Sequence, residues 1–131
     1  MISKGMLAIF LVAAVLISGC TTTGSVNTTS NNTVKEFSIQ SGHVMEDGKS
    51  VPRFSPTELT VNKGDRVRVS ITNTKGTHDF KIDEFSVFSE TPVGETVTVE
   101  FTADKAGDFI YYCSKYNHRA QGQWGTLKVI G

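Results

Sequence analysis

Cys113, His118 and Gln123 stand five residues apart in one segment, Cys113-Ser114-Lys115-Tyr116-Asn117-His118-Arg119-Ala120-Gln121-Gly122-Gln123. A single loop built from it can turn a thiolate, an imidazole and an amide oxygen toward a common point. His78, in Thr77-His78-Asp79-Phe80, offers a fourth donor from the start of another expected strand. Two imidazoles and one thiolate in a trigonal arrangement, with a weak axial donor, make the ligand geometry of blue-copper electron-transfer sites. Taken singly, each residue also has an inert reading. A strand histidine is more often a core or surface side chain than a ligand, and a buried cysteine is commonly a small hydrophobe. Their joint occurrence in one short chain is what favours a metal.

The elements that must position these donors occupy Val34 to Gly131, 98 residues near the lower size limit for a domain held by a hydrophobic core alone. Apolar and polar residues alternate in Arg66-Val67-Arg68-Val69-Ser70-Ile71-Thr72 and again in Thr96-Val97-Thr98-Val99-Glu100-Phe101-Thr102. Such alternation marks strands with one buried and one wet face. Further strands are expected at 36–41, 58–61, 78–82, 108–113 and 125–130. They are separated by the turn signals Asp47-Gly48, Lys63-Gly64-Asp65, Lys75-Gly76, Val93-Gly94 and Ala106-Gly107. About seven to eight short strands at such spacing predict an all-β, antiparallel Greek-key β-sandwich. In Tyr111-Tyr112-Cys113 the period of two puts Tyr111, and not Tyr112, on the face of Cys113.

The N-terminal third has a different character. Met6 to Ile17 is a run of twelve apolar residues after the single charge of Lys4, too short for the roughly 20 residues that span a bilayer and suited to the h-region of a secretory signal. It ends in Ile17-Ser18-Gly19-Cys20, which resembles the lipobox of exported lipoproteins. Residues 1–19 are then a signal peptide, and Cys20 is a lipidated first residue of the mature chain. The alternative is an uncleaved anchor with an incidental cysteine. Either version tethers the domain outside the cytoplasm. Thr21 to Thr33 holds 6 Thr, 2 Ser and 3 Asn around one aliphatic residue, Val26, so 20–33 is expected to be a flexible tether. Asn27 and Asn31 each fit the glycosylation acceptor pattern, although a plain polar spacer reads equally well.

Charge and cysteine count narrow the partners. The whole chain has 13 basic and 13 acidic side chains; without Lys4 the mature chain has 12 against 13. No basic excess exists to neutralise a phosphate backbone, which argues against nucleic acid. With Cys20 outside the domain, Cys113 has no disulfide partner. A lone thiol in an oxidising compartment calls for something that occupies or shields it.

Residues 54–131 resemble a cupredoxin, the family of plastocyanin, azurin and stellacyanin. The resemblance is carried by Phe54-Ser55-Pro56, Val61-Asn62-Lys63-Gly64-Asp65, His78-Asp79-Phe80, Phe101-Thr102-Ala103-Asp104-Lys105-Ala106-Gly107 and Tyr111-Tyr112-Cys113, in the family's order. It implies one mononuclear type 1 copper site with His78, Cys113 and His118 as the strong ligands. Gln123 stands where the family usually has Met, a departure that resembles stellacyanin, with Gln121 and the Thr77 carbonyl as competing axial donors. An amide oxygen is harder than a thioether, so Gln123 implies a reduction potential below that of a Met-ligated relative. His43, near Met45, is expected on the surface rather than in a second copper site, and Trp124 is expected in the core or the site wall rather than as an electron relay.

These expectations converge on a membrane-tethered carrier of single electrons, not an enzyme. It would be a monomer that meets redox partner proteins transiently at the outer face of the membrane or in the periplasm, with His118 as the more exposed imidazole. The alternative from another class is a copper storage or delivery protein without an electron-transfer role. Such proteins favour open Met- or His-rich sites, and the mature chain has one Met and three His. A binuclear copper centre would need a second cysteine in the ligand loop, and position 117 is Asn.

Overall fold

The computed structural model describes residues 34–131. The signal peptide 1–19, the lipidation at Cys20, the tether 20–33 and the acceptors Asn27 and Asn31 lie outside the described residues. Nine strands follow in chain order: β1 (Val34–Glu46), β2 (Lys49–Ser55), β3 (Glu58–Asn62), β4 (Arg66–Asn73), β5 (His78–Ile82), β6 (Val87–Thr91), β7 (Thr96–Thr102), β8 (Gly107–Tyr112) and β9 (Trp124–Ile130). They form a four-stranded sheet, β2-β1-β4-β7, and a five-stranded sheet, β3-β9-β8-β5-β6.

The sandwich is the one expected, with two differences. Pairing is mixed rather than wholly antiparallel: β1 runs parallel to β4, with Val34 opposite Arg66, and β3 runs parallel to β9, with Glu58 opposite Thr126. Chain crossings from one sheet to the other bring strands of the same direction side by side. In addition, β1 continues past Ser41 and returns as β2 through the turn at Asp47 and Gly48, whose φ angles are 49° and 74°. Positive φ at both central residues suits a two-residue hairpin turn, and Asp-Gly is a favoured pair for it.

On five strands, β1, β4, β5, β8 and β9, the inward face is apolar toward one pole and reaches polar side chains at or just beyond the other. On β4 it reads Val67, Val69, Ile71 and then Asn73, all buried; on β1 Phe37 and Ile39 lead to Ser41 and the half-buried His43. Approached from its far end, β5 runs through Ile82 and Phe80 to His78. On β8, Phe109 and Tyr111 precede Cys113, and on β9, Val129 and Leu127 lead to Gly125 and then Gln123 just outside the strand. One pole of a continuous core is therefore lined with potential ligands. Val34 and Arg66 start their strands at the other pole. The rings of Phe54, Phe80 and Tyr111 pack 5.5–5.9 Å apart beneath the polar end. Tyr111 is fully buried and its hydroxyl donates to the Pro56 carbonyl (2.7 Å), while Tyr112 lies on the other face, as the alternation requires.

Candidate metal centre

Cys113 follows the last residue of β8, and its amide donates to the Gln123 carbonyl (3.1 Å), closing the base of the loop between them. Within that loop the Gln123 amide donates to the His118 carbonyl (2.9 Å) and the His118 amide to the Lys115 carbonyl (2.8 Å). A short 3-10 helix, Lys115–Asn117, folds this path with φ angles of 44° at Tyr116 and 60° at Asn117. The left-handed region costs on the order of 1–2 kcal/mol at Tyr116 and less at Asn117, a residue type that visits it more readily. Such strain collects where a loop must aim side chains.

Three donors converge here. His78 Nδ1 lies 3.2 Å from His118 Nδ1, and the Cys113 sulfur lies 3.9 Å and 3.5 Å from those two nitrogens. All three residues are buried; His118 is 8% exposed against 1% for His78. His78 Nε2 donates to the Lys75 carbonyl (2.8 Å), which fixes the tautomer and leaves Nδ1 as the lone-pair donor. Asp79, also buried, receives the Ser114 amide (2.6 Å) and hydroxyl (2.5 Å), so β5 grips the loop directly after Cys113. Asn73 holds the segment before His78: its Nδ2 donates to the carbonyls of Gly76 (2.9 Å) and Thr91 (2.6 Å), and its Oδ1 receives the Lys75 amide (3.0 Å).

Gln123 completes the set from β9's end. Its Nε2 donates to Ser41 Oγ (3.1 Å) and the Arg53 carbonyl (3.4 Å). A carbonyl only accepts, so this contact determines which end of the carboxamide is nitrogen. The oxygen, Oε1, is buried and has no hydrogen-bond partner. Buried polar atoms are nearly always paired, and an unpaired amide oxygen beside two imidazoles and a thiol fits a metal ligand. The set combines one soft sulfur, two imidazole nitrogens and a hard oxygen, and it suits one mononuclear copper ion.

The electrostatics ready the histidines and protect the sulfur. Burial lowers the pKa of His78, reinforced by His118 and His43 and opposed by the Lys75 carbonyl and Gln123. For His118 burial again dominates, with His43 adding to it and Gln123 and Asp79 opposing. Both rings are thus poised as neutral donors near neutral pH. Burial raises the Cys113 thiol above its ordinary value, while the backbone amides of Asp79 and Lys115 favour the thiolate. Among the described residues Cys113 is a free, buried cysteine.

Three neighbours differ from the sequence reading or were missed by it. Gln121 is exposed and its Nε2 donates to the Tyr116 carbonyl (3.1 Å), so its side chain serves the loop surface. Trp124 is 45% exposed on the outer face of β9, not in the core; since Gln123 points inward, the alternation of the strand turns its neighbour out. His43 does lie partly at the surface, but its ring centroid is 5.2 Å from that of His78 and 6.0 Å from that of His118. Its parity with Ile39 and Ser41 along β1 was the available signal. Asn73 and Ser41 carried no motif, Asp79 was quoted only as part of His78-Asp79-Phe80 with no role of its own, and the buried hydrogen bonds of all three reveal what they do.

Nitrous-oxide reductase of Pseudomonas fluorescens is 36% identical to the chain over 87 residues, taking in 57% of this chain and 14% of the relative. The Ralstonia nicotianae enzyme of the same name is 35% identical over 103 residues, with 70% and 16% covered. The chain therefore spans only a small part of the length of these curated relatives. Among solved structures, auracyanin from Roseiflexus castenholzii superposes with a TM-score of 0.61 at 20% identity, covering 73% of this chain and 97% of auracyanin. A copper-containing nitrite reductase from Thermus scotoductus gives 0.63 at 26% identity, covering 74% of this chain and 28% of the reductase. A family model described as a cupredoxin-like domain matches residues 7–124. Since that match takes in most of the chain and passes through His78, Cys113, His118 and Gln123, the chain belongs to the cupredoxin-like family.

Proposed function

We propose that the protein is a one-electron carrier whose copper is held by His78, Cys113 and His118, with Gln123 as the weak axial donor. The observation that carries this reading is the buried convergence of two Nδ1 atoms and one sulfur on a pocket that also contains an unpaired Gln123 oxygen. Copper bound there supplies reversible one-electron chemistry. The chain's own contribution is to hold the donors at the end of the five-stranded sheet, braced by the four-stranded sheet packed against it, so that little rearrangement accompanies a change of charge, and to keep water out. His118 is the ligand ring nearest solvent, and the 72% exposed Tyr116 stands beside it. Redox proteins are the partners that fit such a surface, in small and transient contacts.

Among the described residues the metal ligands are almost fully enclosed, with His118 the most exposed at 8%, and we read such a site as that of a carrier rather than an enzyme. A closed, buried ligand set also favours a carrier over a protein that stores or delivers copper. The carrier works outside the cytoplasm, tethered by lipid on Cys20, and the start of β1 at the pole opposite the donors would turn the metal pole away from the membrane.

Copper loading of the mature protein is expected to produce intense thiolate-to-copper absorption, and Cys113→Ser should abolish it. Reversible reduction with the metal retained distinguishes carrier from store. Copper binding without that absorption, or loss of the metal on reduction, would overturn the proposal. Mass spectrometry of the membrane-extracted chain tests the tether, which predicts an N-terminus at a lipidated Cys20.

A further inference from the structure

The β1–β2 hairpin extends beyond the core and meets the ligand loop at several points, of which Arg53 makes the most contacts. Arg53, on β2, is held by Glu46 of β1 in a bidentate ion pair, Nε to Oε1 at 2.9 Å and Nη2 to Oε2 at 2.5 Å. Its remaining donor, Nη1, reaches the Pro52 carbonyl (2.8 Å) and the Gln121 carbonyl (2.5 Å), 68 residues along the chain. The Arg53 backbone carbonyl receives Gln123 Nε2. Arg53 thus touches the loop on both sides of Gly122, by its guanidinium before and its main chain after. Gly122 makes this approach possible. A Cβ there would lie 2.5 Å from Arg53 Nη1, and its φ of 104° is one that side-chain-bearing residues rarely adopt.

We propose that Arg53, oriented by Glu46, is the positioning residue for the axial ligand: it fixes the Gln121-Gly122-Gln123 segment so that the Gln123 carboxamide oxygen stays aimed into the metal pocket. The inference rests on the copper reading of that pocket. Two features argue for positioning over mere attachment of a hairpin. The planar guanidinium fork uses both edges, one on the carboxylate and one on the loop carbonyl, a geometry lysine cannot reproduce. The same two strands that hold Arg53 supply both acceptors of Gln123 Nε2, Ser41 Oγ and the Arg53 carbonyl, so a shift of hairpin against loop rotates the carboxamide itself.

The test is electrochemistry and electron paramagnetic resonance on the copper-loaded mature chain carrying Arg53→Met, Arg53→Lys or Gln123→Leu, alone and combined. Loss of a hard axial oxygen favours the reduced ion, so Gln123→Leu raises the potential. Positioning predicts that Arg53→Met also raises it and moves the resonance parameters toward those of Gln123→Leu. Removal of a positive charge by itself would lower the potential, which makes the sign decisive. Arg53→Lys should recover only part of the shift, and Arg53→Met should add little in the Gln123→Leu background. In the metal-free protein, the Gln123 carboxamide protons should exchange faster in Arg53→Met than in the wild type.

A potential that falls or stays put in Arg53→Met, or a full shift persisting without Gln123, overturns the proposal while leaving the copper reading intact. If the wild type lacks the thiolate-to-copper absorption, both fail together. Should Arg53→Met fold poorly, Glu46→Gln loosens the same clamp from an exposed position. It should accelerate the carboxamide exchange, and unchanged exchange there would refute the clamp.

Discussion

Replacing Asn73 with Ala removes one side chain and unties the whole segment that precedes His78. Asn73 is fully buried and makes three hydrogen bonds, to the Gly76 and Thr91 carbonyls and from the Lys75 amide. At about 1 kcal/mol net for each, and more where a buried acceptor such as the Thr91 carbonyl loses its partner, the loss should be at least about 3 kcal/mol. For a domain of this size each kcal/mol is worth roughly 4–8 °C, so the melting temperature should fall by about 12 °C or more. Asn73→Asp should be no better. It retains an acceptor for the Lys75 amide but turns an oxygen toward two carbonyls. Urea titration of the metal-free protein measures the stability, and the ring resonances of His78 report the site. Because the acceptor of His78 Nε2 is the Lys75 carbonyl, the variant should also broaden or shift those resonances and weaken metal binding. A loss below about 1 kcal/mol would refute the hydrogen-bond arithmetic. A full loss with His78 unmoved would refute the coupling between this segment and the ligand.

Other outcomes follow from the same structure. Metal-free stability should be greatest between the ordinary imidazole value of 6.5 and the ordinary thiol value of 9.0. As pH falls below about 6.5 the unfolded histidines take up protons that the buried rings resist, and as pH rises past about 9 the unfolded thiol ionises before the folded one; denaturation midpoints across pH measure both limbs. Within that window, metal binding should release about one proton, from Cys113, so apparent affinity should rise about tenfold per pH unit; a flat profile would contradict a protonated thiol. Gln123→Met should raise the reduction potential, and a value unchanged or lowered would remove Gln123 from the axial position. Phe80→Ala, which truncates a fully buried ring next to Phe54 and Tyr111, should cost about 3–5 kcal/mol by chemical denaturation.

Much of the scaffold was legible because half-buried strands alternate. The patterns at 66–72 and 96–102 correspond to β4 and β7, and Tyr111 lies inward with Tyr112 outward as period two requires. β2 and β6 escaped notice. β2 carries Pro52, which is tolerated because this is an edge strand of its sheet. β6, Val87-Phe88-Ser89-Glu90-Thr91, lies at the edge of the other sheet and exposes Phe88 at 54%, so its alternation is blurred. Parallel pairing of β1 with β4 was also unreadable, since strand neighbours depend on where the chain crosses between sheets and not on any local pattern.

The sequence by itself determined the donor types, their order and the alternation that turns them inward, because these depend on side-chain chemistry and on the geometry of one strand at a time. It also pointed to copper through residues that the family match later spanned. Only the tertiary structure decided how the donors are held. Gln123 presents oxygen rather than nitrogen to the pocket because Ser41 and Arg53, 82 and 70 residues away, take up its amide protons. His43 stands against His78 because β1 runs past the end of the core, and Asn73 and Asp79 support the ligands through contacts that no spacing predicts. A carboxamide has two ends of nearly equal size and opposite polarity, and its orientation belongs to the partners that folding brings to it.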